Sequence, residues 1–317
     1  MAYEVPLRKA ANQPAILQAR RMRQLRETGI LTGLVGAATF SILTTVAIIG
    51  ILFANSVHFF RMPDVTFSEF LFSTQWPVLI GSDDNYGIWP LICGSALVTV
   101  IAMMVALPLG LVTAIYLSEY APKKLRSVLK PTLEVLAGIP TVVYGFFALT
   151  FITPMILQKI DPSFNGFNAT SAGIAVGILC LPIVTSLTED ALQSVPRSLR
   201  EGAYGLGGTK LDVSVRVVVP AALSGLISAT LLAVARAMGE TMIVALAAGQ
   251  LPQMTFDPRD QIETMTGFMV RAAKGDIEHT GAAYYSLYAV AGTLFIITFV
   301  LTVLGQMIRR RFREEYR

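Results

Sequence analysis

The sequence predicts an all-α polytopic membrane protein with six transmembrane helices, and three observations carry that prediction. Hydrophobic residues make up 54% of the 317 residues and charged residues only 15%, with a mean hydropathy of +0.61. A soluble domain has no interior large enough to hide such an excess. Six apolar runs come close to or exceed the roughly 20 residues that a helix needs to cross the hydrocarbon layer. The basic residues then alternate between the connecting segments: nineteen fall on the side that holds both termini and five on the other, with Arg236 alone inside a run. Lys and Arg are retained on the cytoplasmic side, so both termini are expected there, and the net charge of +4 reflects membrane orientation and not nucleic-acid binding.

Taken in order, residues 1–28 form a mostly polar cytoplasmic tail. Within it, 18–26 interleave Arg and Gln with Met22 and Leu25, a pattern that either lies on an anionic inner leaflet or stays solvated. The first span, 29–53, is far longer than the roughly 7–15 apolar residues of a secretory signal and reads as an uncleaved helix. The next two spans are 89–117, with Cys93 and Pro108, and 131–157, with Gly138-Ile-Pro-Thr-Val-Val-Tyr-Gly145. The fourth, 170–187, is the shortest at 18 residues and contains Cys180 and Pro182. The fifth and sixth, 220–248 and 282–308, precede a basic cytoplasmic tail, 309–317. Pro108, Pro140 and Pro182 each free a carbonyl within a span, where neighbouring helices or a wet cavity must satisfy it, so kinks are expected at all three.

The two outward loops, 54–88 and 249–281, are long. Phe67, Phe70, Leu71 and Phe72 near Trp76 in the first, and Phe268, Met269 and Val270 in the second, are apolar enough to form short helices packed outside the membrane. Such helices would offer a platform to an external partner, or serve as simple connectors.

Residues 188–219 are the most informative cytoplasmic segment. Pro196 sits near a helix start, where its missing N–H costs nothing, and Ser194 is placed to accept from a free backbone donor. Leu199, Ala203 and Leu206 recur at helical spacing to give one apolar stripe. Gly205, Gly207 and Gly208 permit a left-handed stop, and Thr209 with Asp212 reads as a capping box opening a second helix. The product is a helical hairpin, too polar for lipid and too small to fold alone, suited to sit in a partner's groove. Glu201, Gly202, Ala203 and, after three residues, Gly207, followed nine residues later by Val217, Val218, Val219 and Pro220, resemble the E-A-A loop of permease subunits of ABC importers. Gly202 departs from that pattern and costs about 1 kcal/mol of helix propensity.

In the fifth span, Arg236 and Glu240 stand four apart, and on a continuous helix they share one face. An Arg at mid-bilayer costs roughly 2.5–3.5 kcal/mol on insertion scales, so such residues face a cavity or a partner. Arg236 offers planar donors that match an oxyanion. Glu240 would neutralise it between substrates and limit how tightly an anion is held. A purely architectural pair bracing helices is the alternative.

No G-x-x-x-x-G-K-S/T motif occurs in the chain, so it lacks the loop that cradles ATP phosphates. His58 and His279 are far apart, Cys93 and Cys180 read as small buried hydrophobes, and no metal-ligand spacing or hydrolytic triad appears. Nothing marks the chain as an enzyme.

With Gly138–Gly145, Arg236-Ala-Met-Gly-Glu-Thr241 and the hairpin in view, residues 29–308 resemble the phosphate-specific permeases of bacterial ABC importers, in particular the larger member of the permease pair. The resemblance implies a type I importer permease fold, with the first helix wrapped around a core of five, in the bacterial inner membrane. It also implies a homologous second permease subunit, two ATPase subunits that bind ATP and Mg, and an extracytoplasmic phosphate-binding protein. By the same analogy Arg236, Glu240 and Thr241 would line the substrate pathway, while Glu201, Gly202, Ala203, Gly207 and Pro220 would couple to the ATPase. Sulfate or molybdate permeases share this plan. An ion-coupled secondary transporter, or a membrane sensor that scaffolds a kinase through its hairpin, would also fit the composition; the former would need inverted repeats and broken helices with coupling-ion ligands.

Overall fold

The computed structural model describes residues 13–63, 65–77, 85–274 and 281–311, and every regular element among them is helical. Among the described residues five helices are long and apolar enough to cross a membrane, and a sixth span is formed if a helix pair bent by 69° is counted as one. Helix α1 (Gln13–Phe59) carries the first span, and its apolar side chains from Ile30 to Ile51, apart from the half-buried Ile49, are exposed. The chain divides into two compact units, 1–54 and 55–317. The second holds the remaining elements.

That unit begins with the last turn of α1 and a short helix, α2 (Phe67–Phe72). Helix α3 (Trp89–Ile115) runs through Pro108 without interruption and widens into a π turn at Tyr116–Tyr120. After α4 (Lys123–Gly138), the third span consists of α5 (Thr141–Phe147), a π stretch (Ala148–Leu157) and α6 (Gln158–Ile160). The fourth is α7 (Ala169–Gln193). The hairpin contains α8 (Arg197–Gly205) and α9 (Lys210–Val213), the latter continuing through a π turn (Ser214–Val218) into α10 (Val219–Ala221). Then follow α11 (Leu223–Met238), α12 (Met242–Ala247), α13 (Met265–Ala273) and α14 (Ala282–Arg311).

Helix α7, which holds the span read from sequence as the shortest, is the most buried of the candidate spans among the described residues. Its face of Ala169, Ala172, Gly173, Val176 and Gly177 lets α3 approach closely: a Cβ on Gly173 would lie 2.6 Å from Ile101 Cβ, and one on Gly177 2.9 Å from the Ala102 carbonyl. Small residues let helix backbones meet where apolar attraction between helices is weak. Asn168 caps the helix, its Oδ1 accepting from Ser171 N at 2.7 Å, and Pro182 lies within it without a break.

Three expected boundaries are corrected. The third span starts at Thr141, not at 131, because Ile139 and Pro140 are extended and divide the stretch into two helices. Proline biases its predecessor out of the α region, so Pro140 separates helices where a kink was expected. Residues 131–138 belong instead to α4, which buries no side chain fully. The fourth span extends past 187 to Gln193. The fifth starts at Leu223 and breaks after Met238, so 220–248 is not one helix.

At the end of this unit opposite the hairpin, α2, α13 and the start of α14 close over an aromatic cluster. Phe59, Phe70, Trp76, Tyr86 and Phe268 are buried, with edge-to-face rings such as Trp76 and Phe268 at 5.1 Å, an arrangement favoured by ring quadrupoles. Both long loops therefore join one packed body. Residues 249–264 are tied down as well: Thr170 Oγ1 donates to the Pro258 carbonyl at 2.8 Å and Ala169 N to that of Asp260 at 3.1 Å. His279 and residues 312–317 of the basic tail lie outside the described residues.

Candidate functional site

The Arg236–Thr241 string breaks its span, and the break decides the geometry. Gly239 closes α11, its N–H donating to the Ala235 carbonyl at 3.2 Å. Glycine is among the weakest helix formers, and two residues later α12 opens. Glu240 thus falls between helices, buried, with its carboxylate accepting from the backbone N–H of Met242 at 3.2 Å and Ile243 at 3.4 Å. A carboxylate at a helix start satisfies free donors and suits the positive end of the dipole. Thr241 Oγ1 turns back to the Gly239 carbonyl at 3.2 Å.

The expected pairing of Arg236 with Glu240 on one helix face is therefore corrected: α11 ends before Glu240 and no ion pair joins the two. Arg236 is exposed and makes no hydrogen bond or ion pair with any described residue. Both charges lie within electrostatic range of Cys180 on α7. The arrangement leaves one free guanidinium and one carboxylate occupied by backbone.

The two strings that distinguish this chain meet at this place. A Cβ on Gly145 of α5 would come within 3.1 Å of Ile243 Cα and Leu246 Cβ on α12, whereas Gly138 faces open space. From the other side, Thr266 of α13 donates to the Glu240 carbonyl at 2.6 Å, and Ser95 Oγ of α3 accepts from Met265 N at 2.9 Å. The break is thus held by its neighbours.

Beside it, Glu263 is buried against Arg271, Oε2 to Nη2 at 2.6 Å. Burial pushes the Glu263 carboxyl up to about 7, against the pull of the Arg271 guanidinium. Glu263 binds its proton more tightly folded than unfolded, so its contribution to stability is complete below about 4.5 and is lost as pH rises toward about 7. Protection factors of the amides of 262–273, taken relative to the intrinsic exchange rate at each pH, are expected to be higher at pH 5 than at pH 8, and Glu263→Gln should flatten that difference.

At the opposite end the hairpin is formed much as its local signals indicate. The Thr209–Asp212 capping box is present, with Asp212 N donating to Thr209 Oγ1 at 3.2 Å. Among the three glycines Gly207 alone is left-handed, at φ +83°. Pro196 precedes α8. Leu199 and Ala203 pack on Val195, Val213 and Val218, but Leu206 ends α8 at 92% exposure, so it leaves the expected stripe. Ser194 also departs from expectation: it closes α7 and donates to the Ala191 carbonyl at 2.7 Å. Glu201, Gly202 and Pro220 are exposed and Ala203 half-buried. Gly202 has open space where a Cβ would stand, so packing does not demand glycine there. Pro220 lies within α10, and the 69° bend into α11 follows it.

Several charged residues emerge only in three dimensions. Glu189 is fully buried in α7 and held from α4 by Arg126 Nε at 2.7 Å and Lys130 Nζ at 3.4 Å. Lys130 also reaches Asp190 at 3.2 Å. These pairs border a cavity of about 340 Å³ lined by Leu133, Pro182, Ser186 and Leu232. The surplus of Lys and Arg in 118–130 was the only sequence signal for an acidic partner. Among the described residues no group of three or more His, Cys, Asp or Glu side chains is arranged to hold a metal ion.

Residues 106–314 match the family described as binding-protein-dependent transport system inner membrane component. A probable ABC transporter permease protein of Bacillus subtilis, YqgH, is 35% identical over 93% of this chain and 95% of its own length. The phosphate transport system permease protein PstC of Mesorhizobium japonicum is 32% identical over 77% of this chain and 78% of its own. The PstC of Xylella fastidiosa is 31% identical over 78% and 80%. Among solved structures, a bacterial ABC transporter for import of the acidic polysaccharide alginate superposes with TM-score 0.63 at 15% identity, over 93% of this chain and 100% of the matched one. The MetNI methionine ABC transporter in an inward-facing form gives 0.53 at 17%, over 72% and 95%. At these identities the structures speak to the fold alone.

Proposed function

The chain belongs to the family of binding-protein-dependent transport system inner membrane components, and from that premise we propose that it is the permease subunit of an ATP-driven importer of inorganic phosphate. The likeness to proteins named PstC along about four-fifths of their length carries the choice of substrate. The free guanidinium of Arg236 agrees with it. An exposed Arg within a span is costly against lipid, so its exposed side belongs to an aqueous path, enclosed when a homologous second permease subunit packs against this one. Glu240 and Thr241 frame that path, Glu240 by fixing the start of α12.

Both termini and the hairpin face the cytoplasm in this reading, by the Lys and Arg distribution. The hairpin docks on one of two ATPase subunits through Glu201, Leu206 and the turn at Gly207. ATP and Mg are bound there and not by this chain, which lacks a phosphate loop and makes or breaks no bond. An extracytoplasmic phosphate-binding protein delivers its ligand to the packed surface of α2 and α13. ATP binding draws the ATPases together, the hairpins move the spans, and the path opens outward. Hydrolysis resets it.

The test is uptake of labelled inorganic phosphate into vesicles that contain the whole transporter, with sulfate and molybdate as competitors. Competition by excess unlabelled phosphate alone is the expected result. Import of sulfate or molybdate at the same rate as phosphate would overturn the assignment of substrate.

A further inference from the structure

The hairpin is continuous in sequence with α7 and α11 but not with α3. A buried ion pair helps to tie it to α3. Arg200, on the inner side of α8 with a side chain 19% exposed, pairs through Nη1 with Glu119, whose side chain is 6% exposed. Through Nη2 it also donates to the Leu192 carbonyl at the end of α7, at 2.6 Å. One planar guanidinium therefore holds the ends of two spans, a use of its fixed fork that an ammonium cannot reproduce. Among the described residues no other ion pair links the hairpin to α3.

The surroundings point to a working joint and not to a surface decoration. Glu119 sits in the π turn that ends α3, and a second π turn, Ser214–Val218, lies where the hairpin returns to the membrane. Such turns insert a residue, re-aim the side chains that follow and recur at functional sites. Ala114, Leu192, Val195, Val213 and Val218 form one buried apolar hub, and Lys210 lies 4.8 Å from the centroid of the Tyr120 ring on the same π turn.

We infer that Arg200 is a positioning residue which, through Glu119, transmits movement of the hairpin to α3, so that the second span moves together with α7 and α11. The inference rests on the reading of the hairpin as the ATPase-coupling element.

The experiment uses the complete transporter, reconstituted with its second permease, ATPase subunits and phosphate-binding protein. Phosphate imported per ATP hydrolysed is measured for Arg200→Gln, Glu119→Gln, both together, and the charge exchange Arg200→Glu with Glu119→Arg. Co-purification of the ATPase serves as the check on assembly. The doubly neutral protein, which leaves no unpaired buried charge, is expected to assemble and hydrolyse ATP while phosphate per ATP falls about tenfold, within the usual range of site-to-site coupling. The charge exchange should restore part of it, because it rebuilds the pair with α3 and not the bond to the Leu192 carbonyl. A doubly neutral protein with wild-type yield per ATP overturns the joint, as does a charge-exchanged protein that assembles yet stays uncoupled. If single variants fail to assemble, those two proteins still decide. A wild-type assembly that imports phosphate without consuming ATP sinks the reading of the hairpin, and the joint with it.

Discussion

Arg236→Gln is expected to reduce phosphate uptake at least about tenfold, the loss of a charge-assisted hydrogen bond to the anion worth about 1.5–3 kcal/mol, while assembly with the other subunits survives. The structure supplies the reason for both halves. Arg236 has no partner among the described residues, so its removal orphans no buried carboxylate. Glu240 keeps its contacts to Met242 and Ile243, so the start of α12 survives. Arg236→Lys should fall between the two, because an ammonium keeps the charge and lacks the planar fork. Uptake of labelled phosphate in cells, measured beside the amount of complex in the membrane, separates a lost path from a lost protein. Normal uptake by Arg236→Gln would remove this residue from the path.

The second large effect belongs to Leu206. At 92% exposure it contributes nothing to the fold of this chain by burial, yet a large apolar side chain at a hairpin tip is the kind of residue that a partner's groove covers. Burying a leucine is worth about 2 kcal/mol, and substituting a charge adds desolvation to that loss. Leu206→Glu is expected to weaken ATPase association at least about 30-fold without lowering the melting temperature of the isolated permease. Glu201→Lys, next to the same turn, should act in the same direction through charge. Pull-down of the ATPase and permease melting curves check both. Full ATPase recovery with Leu206→Glu would place the docking surface elsewhere.

What could be read from the sequence was what depends on neighbours within a few residues or on bulk apolar length. The capping box at Thr209 and Asp212 is set by a three-residue spacing, and it formed. The spans around 89–117 and 282–308 followed from length alone. The fourth span ended early on paper because Glu189 and Asp190 interrupt the apolar run, whereas in three dimensions Arg126 and Lys130 from α4 neutralise them. No count along the chain shows a partner some sixty residues away. Pro140 illustrates the reverse difficulty: kinks and breaks look alike in an apolar string, and its effect differs from that of Pro108 and Pro182, which lie inside uninterrupted helices.

At the candidate site, residue choice was legible and geometry was not. Arg236 and Glu240 stood out as charges in an apolar run, but spacing of four implies a shared face only if the helix continues, and Gly239 ends it. Arg200 was read as one of the basic residues that orient the loop. Its burial against Glu119 depends on a π turn, for which the sequence offers no simple signal.

The central claim is that movement made by a separate ATPase is what drives anions through this chain. Its most direct measurement is phosphate accumulation in proteoliposomes that hold both permeases and the binding protein, with and without the ATPase subunits and ATP. The account predicts accumulation against a gradient only when ATPase and ATP are both present. Equal accumulation by the permeases alone would contradict it.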